Sequence, residues 1–164
     1  AFGRALEAHL VATVGPAPEG GWVRWVKKLN VWLADDPRAR AEAAAWARRQ
    51  PGIRLAFSRE DVAAGRLPPE PDRTRILNQY VPGRSGDVVA LPAPFVIAGD
   101  APAVHMTGYA YDRMVPLAFA GAGIQPGVHP GGEVVDLAPT LAWLLGVLPP
   151  ALSEGRVLRE ALAD

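Results

Sequence analysis

The chain has 164 residues, 49% of them apolar, enough to bury roughly 70% of its unfolded surface and too hydrophobic for a disordered segment. Its 17 Lys and Arg balance 17 Asp and Glu, which gives no support to a nucleic-acid or anionic-membrane partner. There is no cysteine, so disulfides and thiolate zinc sites are excluded.

Residues 4–14 carry Leu6, Leu10 and Val14 at helical spacing, and Gly15-Pro16 stops the helix they predict. Segments 22–26 and 29–33 alternate apolar and polar residues, as a strand pair or one long bent strand would. Asp36-Pro37 is a helix start, because the Asp carboxylate can accept from free first-turn amides and proline suits the first helical position. That helix runs to Gln50 and ends at Pro51-Gly52. A short strand over 53–57 follows, then a short helix opened by Ser58-Arg-Glu-Asp61 with capping-box spacing and closed near Gly65. The order helix, strand, strand, helix, strand describes an α+β segment over residues 1–66 that is partly ferredoxin-like.

The proline-rich Leu67-Pro-Pro-Glu-Pro71 is a stiff connector to residues 67–164. A helix from Asp72 to about Tyr80 precedes Arg84-Ser-Gly-Asp87. There the structural reading is a turn in which Gly86 supplies an unusual backbone angle and Arg84 pairs with an acid. Segment 88–97 is strand-like but interrupted by Pro92 and Pro94, which places it near a sheet edge or at a bend. Residues 115–120 read as a buried strand. Asp136 is placed to cap a helix over 137–145, where Pro139 falls in the tolerant first turn. The apolar run from Leu137 to Leu152 is broken by three prolines and falls short of the roughly 18 residues that span a bilayer. A chain opening Ala1-Phe2-Gly3, with no initiator methionine and no signal peptide, reads as a processed product or a fragment.

Four pieces in order carry a family resemblance: Asn78-Gln-Tyr-Val-Pro-Gly-Arg-Ser-Gly-Asp-Val88, His105 to Pro116, Phe119-Ala-Gly-Ala-Gly-Ile-Gln-Pro-Gly127, and Val135-Asp-Leu-Ala-Pro-Thr-Leu-Ala142 with Gly146. Together they resemble the C-terminal portion of the alkaline phosphatase superfamily, in its type I phosphodiesterase and nucleotide pyrophosphatase group of bacterial phosphatases. The second piece is similar to that group's Thr-His-Gly-Ser/Thr-Pro-Tyr-x-Tyr-Asp-x-x-Val-Pro motif. The resemblance implies an α/β fold, the C-terminal part of an α/β/α sandwich preceded by the α+β segment. It also implies two zinc ions that activate a Thr or Ser nucleophile in hydrolysis of a phosphate mono- or diester, a small-molecule substrate. It is compatible with a periplasmic or secreted protein, although localisation is not readable from the residues.

Only one metal role carries over by residue. His105 matches the family's last zinc ligand, while the nucleophile and the remaining ligands have no counterpart in this chain. One imidazole cannot hold a catalytic zinc, which needs about three protein ligands, so no tight zinc binding is expected of the chain alone. Asp112 is a candidate to orient the His105 imidazole, and Tyr109 and Tyr111 share one strand face with a packing role. His9 and His129 have no partners at ligand spacing. The chain departs from the motif at Met106 (glycine in the family), at Ala103-Val104 (Thr-Thr) and at Gly108 (proline). A methionine beside the metal would crowd it. The alternative is therefore a non-catalytic binding or interaction domain on the same scaffold. A sulfatase or mutase relative is a further rival, which Tyr-Asp-x-x-Val-Pro disfavours.

Overall fold

The protein is described by a computed structural model covering residues 2–97, 102–105 and 107–163. It divides into two compact units, Ala1–Arg113 and Met114–Asp164.

In the first unit α1 (Phe2–Thr13) is followed by β1 (Val23–Lys27) and β2 (Asn30–Leu33), then α2 (Pro37–Arg48), β3 (Ile53–Ser58), α3 (Arg59–Ala63), α4 (Asp72–Gln79), β4 (Val88–Pro92) and the single turn α5 (Ala110–Arg113). The sheet order is β1-β2-β4-β3, with every neighbouring pair antiparallel. Val31, Leu33 and Val88 lie on one face of the sheet. There they close a core with Leu6 and Leu10 of α1 and Ala39, Ala43 and Ala44 of α2. The small alanine face lets α2 approach the strands closely, which a stripe of larger side chains would prevent.

Local signals placed the helix starts correctly. The Asp36 carboxylate accepts from the Arg38 and Ala39 amides at 2.7 and 3.0 Å, with Pro37 at the first helical position. Ser58 and Asp61 cap each other reciprocally at 3.2 and 3.0 Å. Segment 22–33 is a strand pair, not one bent strand.

β4 corrects an expectation. It lies between β2 and β3, so it is a central strand and not an edge one. Pro92 is tolerated because it is the last residue of the ladder, where a missing amide costs least. The boundary expected at 66/67 falls inside the first unit, since β4 joins strands that precede that boundary.

The β1–β2 turn holds both Lys28 and Leu29 at positive φ, 49° and 63°. A two-residue hairpin loop matching the strand twist requires this, and Asn-Gly usually supplies it. Leu29 is drawn into the conformation by burial against Ala47, Ala56 and Ala90. Lys28 is exposed and gains nothing comparable. Lys28→Gly is therefore expected to stabilise the chain by about 1 kcal/mol, seen as a higher urea midpoint at unchanged slope.

Arg40 is a charged anchor, 4% exposed, with Nε donating to Glu60 at 2.7 Å and an Nη to Asp35 at 2.8 Å. Burial pushes the Glu60 carboxyl up, but its backbone hydrogen bond and Arg40 outweigh that and hold it low. For Asp61 burial is likewise outweighed, by the Ser58 amide and Arg66. Carboxyls with lowered folded-state values stabilise the fold fully above roughly pH 4 and lose that contribution as pH falls through the lowered values. Denaturant stability should thus be flat from neutral pH to about 5 and fall below about 4. Arg40→Met should cost about 2 kcal/mol at neutral pH and make the acid slope shallower.

The second unit contains a 3₁₀ turn, Val134–Asp136, leading into α6 (Leu137–Leu145), and a second 3₁₀ turn, Arg159–Ala161. Residues 115–120 form no strand, contrary to expectation, and Met114 and Val115 are 80% and 54% exposed. Pro116 removes an amide there, and the strand-like pairing described in this unit is the isolated Ile124–Leu162 bridge. Asp136 does not cap α6. Its carboxylate accepts from the Arg156 and Glu133 amides at 2.8 and 2.9 Å, tying the segment after the helix to the turn before it. Thr140, fully buried, accepts from the Leu158 amide at 3.0 Å. No helix among the described residues is long and apolar enough to cross a membrane.

Candidate metal-ligand site

The site is built from the loop after β4 and from α5. Asp112 and Arg113 amides bond back to the Tyr109 carbonyl at 3.0 and 3.1 Å, closing one helical turn where sequence pattern suggested a strand. Tyr109 and Tyr111 therefore do not share a strand face. Their rings stack at 5.5 Å, and Phe95 stacks on Tyr111 at 4.7 Å. The Tyr109 hydroxyl donates to the Pro92 carbonyl at 2.9 Å, pinning α5 to the end of β4. The Phe95 amide donates to the Tyr111 hydroxyl, also at 2.9 Å. Both tyrosines pack, and burial pushes the Tyr109 phenol up, with Arg54 opposing.

His105 projects from this framework with its side chain 91% exposed. Its Nδ1 lies 3.9 Å from Asp112 Oδ1, within ion-pair range but too long for a hydrogen bond. Asp112 is only 11% exposed, and its Oδ2 accepts from the Thr107 amide at 2.9 Å and from the Thr107 hydroxyl. The carboxylate is thus held from behind while its other oxygen faces the imidazole. Thr107 is the member of this group that sequence pattern did not single out. Its signal was a hydroxyl five residues before a carboxylate across a tight turn. An open cleft of about 460 Å³ adjoins the histidine, lined also by Arg75, Asn78, Gln79 and Arg113. Met106 lies outside the described residues.

The other histidines go elsewhere. His9 bonds to Glu42 at 2.7 Å, linking α1 to α2, and the imidazole holds that carboxyl below its ordinary value. His129 lines an apolar-edged cavity of about 420 Å³ in the second unit, with Gln125 and Glu160. Among the described residues no three His, Asp or Glu side chains converge as a metal site. One exposed imidazole with a held carboxylate behind it fits a single ligand position and not a complete zinc site.

The Arg84-Ser-Gly-Asp87 segment is structural, but its pairing differs from expectation. Asp87 accepts from the Leu33 amide at 2.9 Å and from Arg59 at 3.1 Å, and no acid pairs with Arg84 among the described ion pairs. Gly86 is required for close approach and not for its backbone angle. A Cβ there would lie 2.8 Å from the Val31 nitrogen and 2.9 Å from the Val88 oxygen.

No protein-family model and no curated protein matches the chain. Solved structures do. A wild-type crystal structure of alkaline phosphatase PafA superposes with a TM-score of 0.85 at 21% identity, covering 99% of this chain and 33% of that one. A multiply substituted PafA variant gives a TM-score of 0.84 at 22% identity, covering 98% and 32%. The chain has an alkaline-phosphatase-like fold and spans about a third of the length of these structures.

Proposed function

We propose that this chain is the C-terminal portion of a zinc-dependent phosphate mono- or diester hydrolase, to which it contributes His105 as one metal ligand. The observation that carries the reading is the pairing of an exposed imidazole with a held carboxylate, on a chain whose whole length superposes on alkaline phosphatase PafA. Two zinc ions, when bound, would activate a nucleophile and stabilise charge on the phosphate oxygens. The chain's own part is to present one ring nitrogen of His105. Asp112 stands near the other and favours the tautomer and orientation that a ligand needs. Thr107 fixes Asp112, and Tyr109 fixes the loop to β4.

Exposed apolar side chains accord with this reading. Val128, Leu148 and Leu152 are 99%, 92% and 95% exposed, as expected of surface that packs against further polypeptide. The alternative, a non-catalytic domain on the same scaffold, draws on Met106, which stands where the family motif has glycine.

Zinc titration of the 164-residue chain tests the ligand assignment without any activity. Binding should be weak, with a Kd no tighter than about 10 µM, should shift the His105 ring resonances, and should vanish in His105→Ala. Tight stoichiometric binding, or weak binding that survives His105→Ala, overturns the one-ligand reading.

A further inference from the structure

About half of the basic residues in this chain have carboxylate partners among the described ion pairs. Arg48 bonds to Asp61, Arg49 to Glu42, Arg54 to Asp72 and Arg59 to Asp87. Lys27, Lys28 and Arg84 belong to the other half, and they differ from the rest of it in being gathered at one place. They line one open cleft of about 390 Å³, and no carboxylate lines it with them. Asp87, the nearest acid in sequence to Arg84, pairs with Arg59, and Lys28 sits in the hairpin turn at positive φ.

Two polar side chains of the cleft, Asn30 and Ser85, are held by hydrogen bonds to neighbouring amides. Asn30 uses its carbonyl oxygen to accept from the Gly86 amide at 3.1 Å, which leaves its NH₂ to donate. Ser85 Oγ accepts from the Val81 amide at 3.0 Å, which leaves the hydroxyl hydrogen free. Each side chain thus has a donor to offer beside three cations. Such a lining selects for an oxyanion and repels a cation. One wall is the Trp32 indole, stacked on Trp25 at 4.6 Å with Lys27 Nζ 5.4 Å from the Trp25 ring. A partly buried indole stacked on a second indole is a flat apolar surface, suited to the C–H face of a ring.

We infer that this cleft binds an anionic saccharide, a sugar ring bearing a phosphate or sulfate ester. The ester oxygens meet Lys27, Lys28 and Arg84, and the ring lies on Trp32. The inference does not depend on metal binding at His105.

The test is calorimetric and NMR titration of the 164-residue chain at low ionic strength with glucose 6-phosphate, glucose 6-sulfate, glucose and inorganic phosphate. The phosphate ester should bind saturably, with a Kd of about 1 mM or tighter, shift the Trp32 indole resonance, and weaken as salt is raised. Glucose and inorganic phosphate should each bind at least about tenfold more weakly, since each makes half of the contacts. Lys28→Gly, which relieves backbone strain and so should fold at least as well, should weaken binding about fivefold, and Arg84→Gln likewise. Binding of one ester and not the other identifies the anion and upholds the site. Saturable binding of neither ester, inorganic phosphate binding as well as the esters, or unchanged affinity in both variants overturns the inference.

Discussion

His105→Ala, introduced into a protein that carries this chain together with the remaining zinc ligands, is expected to lower phosphate-ester hydrolysis about 10³-fold or more. Loss of an outer partner of a metal ligand typically costs about 10- to 100-fold, and loss of the ligand itself costs more. The imidazole is 91% exposed, so it contributes little to packing. The folded stability of the variant should stay within about 0.5 kcal/mol of the parent. The rate loss would then not be an unfolding effect, and stability measured alongside activity separates the two. Asp112→Asn should give a smaller loss, about 10- to 100-fold, because it keeps shape while removing the charge beside Nδ1. An unchanged rate in His105→Ala refutes the ligand role.

Gly155→Ala is expected to unfold the second unit. A Cβ at Gly155 would sit 2.1 Å from the Val135 carbonyl oxygen and 2.8 Å from the Asp136 nitrogen, and these are backbone atoms that cannot swing aside. Overpacking against flexible side chains costs about 1–3 kcal/mol, and a rigid backbone clash exceeds that range. The displaced segment would also lose the Arg156 amide that donates to Asp136 at 2.8 Å. That amide and the Glu133 amide hold the Asp136 carboxyl below its ordinary value. Next to it, Arg156 bonds to Glu160 at 2.6 Å and holds its carboxyl down to about 2. One methyl group therefore breaks the tie that joins both ends of α6. Trp143 is the reporter, the only one of five tryptophans in residues 114–164, with Arg159 lying 4.3 Å over its ring. Its indole resonance should collapse toward random-coil position while the four in the first unit stay put. A native Trp143 signal in the variant would show that the loop relaxes without cost.

Features decided within four or five residues were legible from the chain. Asp36 and Ser58 announce their helices because a short polar side chain can reach only the amides just ahead of it. His105 stood out through the order of motifs around it, and Asp112 through its position in the same motif. Thr107 did not, because its role depends on a turn that brings residues 107 and 112 together. The expected strands over 115–120 and along 109–111 were apolar or aromatic segments without a hydrogen-bonded neighbour, and alternation alone cannot supply one.

By itself, the sequence determined the helices capped by Asp36 and Ser58, the strand character of residues 22–33, the lack of any thiol chemistry and a resemblance pointing to His105. Only the tertiary structure decided which partners distant residues take. It placed β4 between β2 and β3, gave Asp87 to Arg59 and left Arg84 beside Lys27 and Lys28, and turned Asp136 from a helix cap into a tie. The physical reason is competition. Each carboxylate and each strand edge has several candidate partners along the chain, and burial of the shared core selects among them.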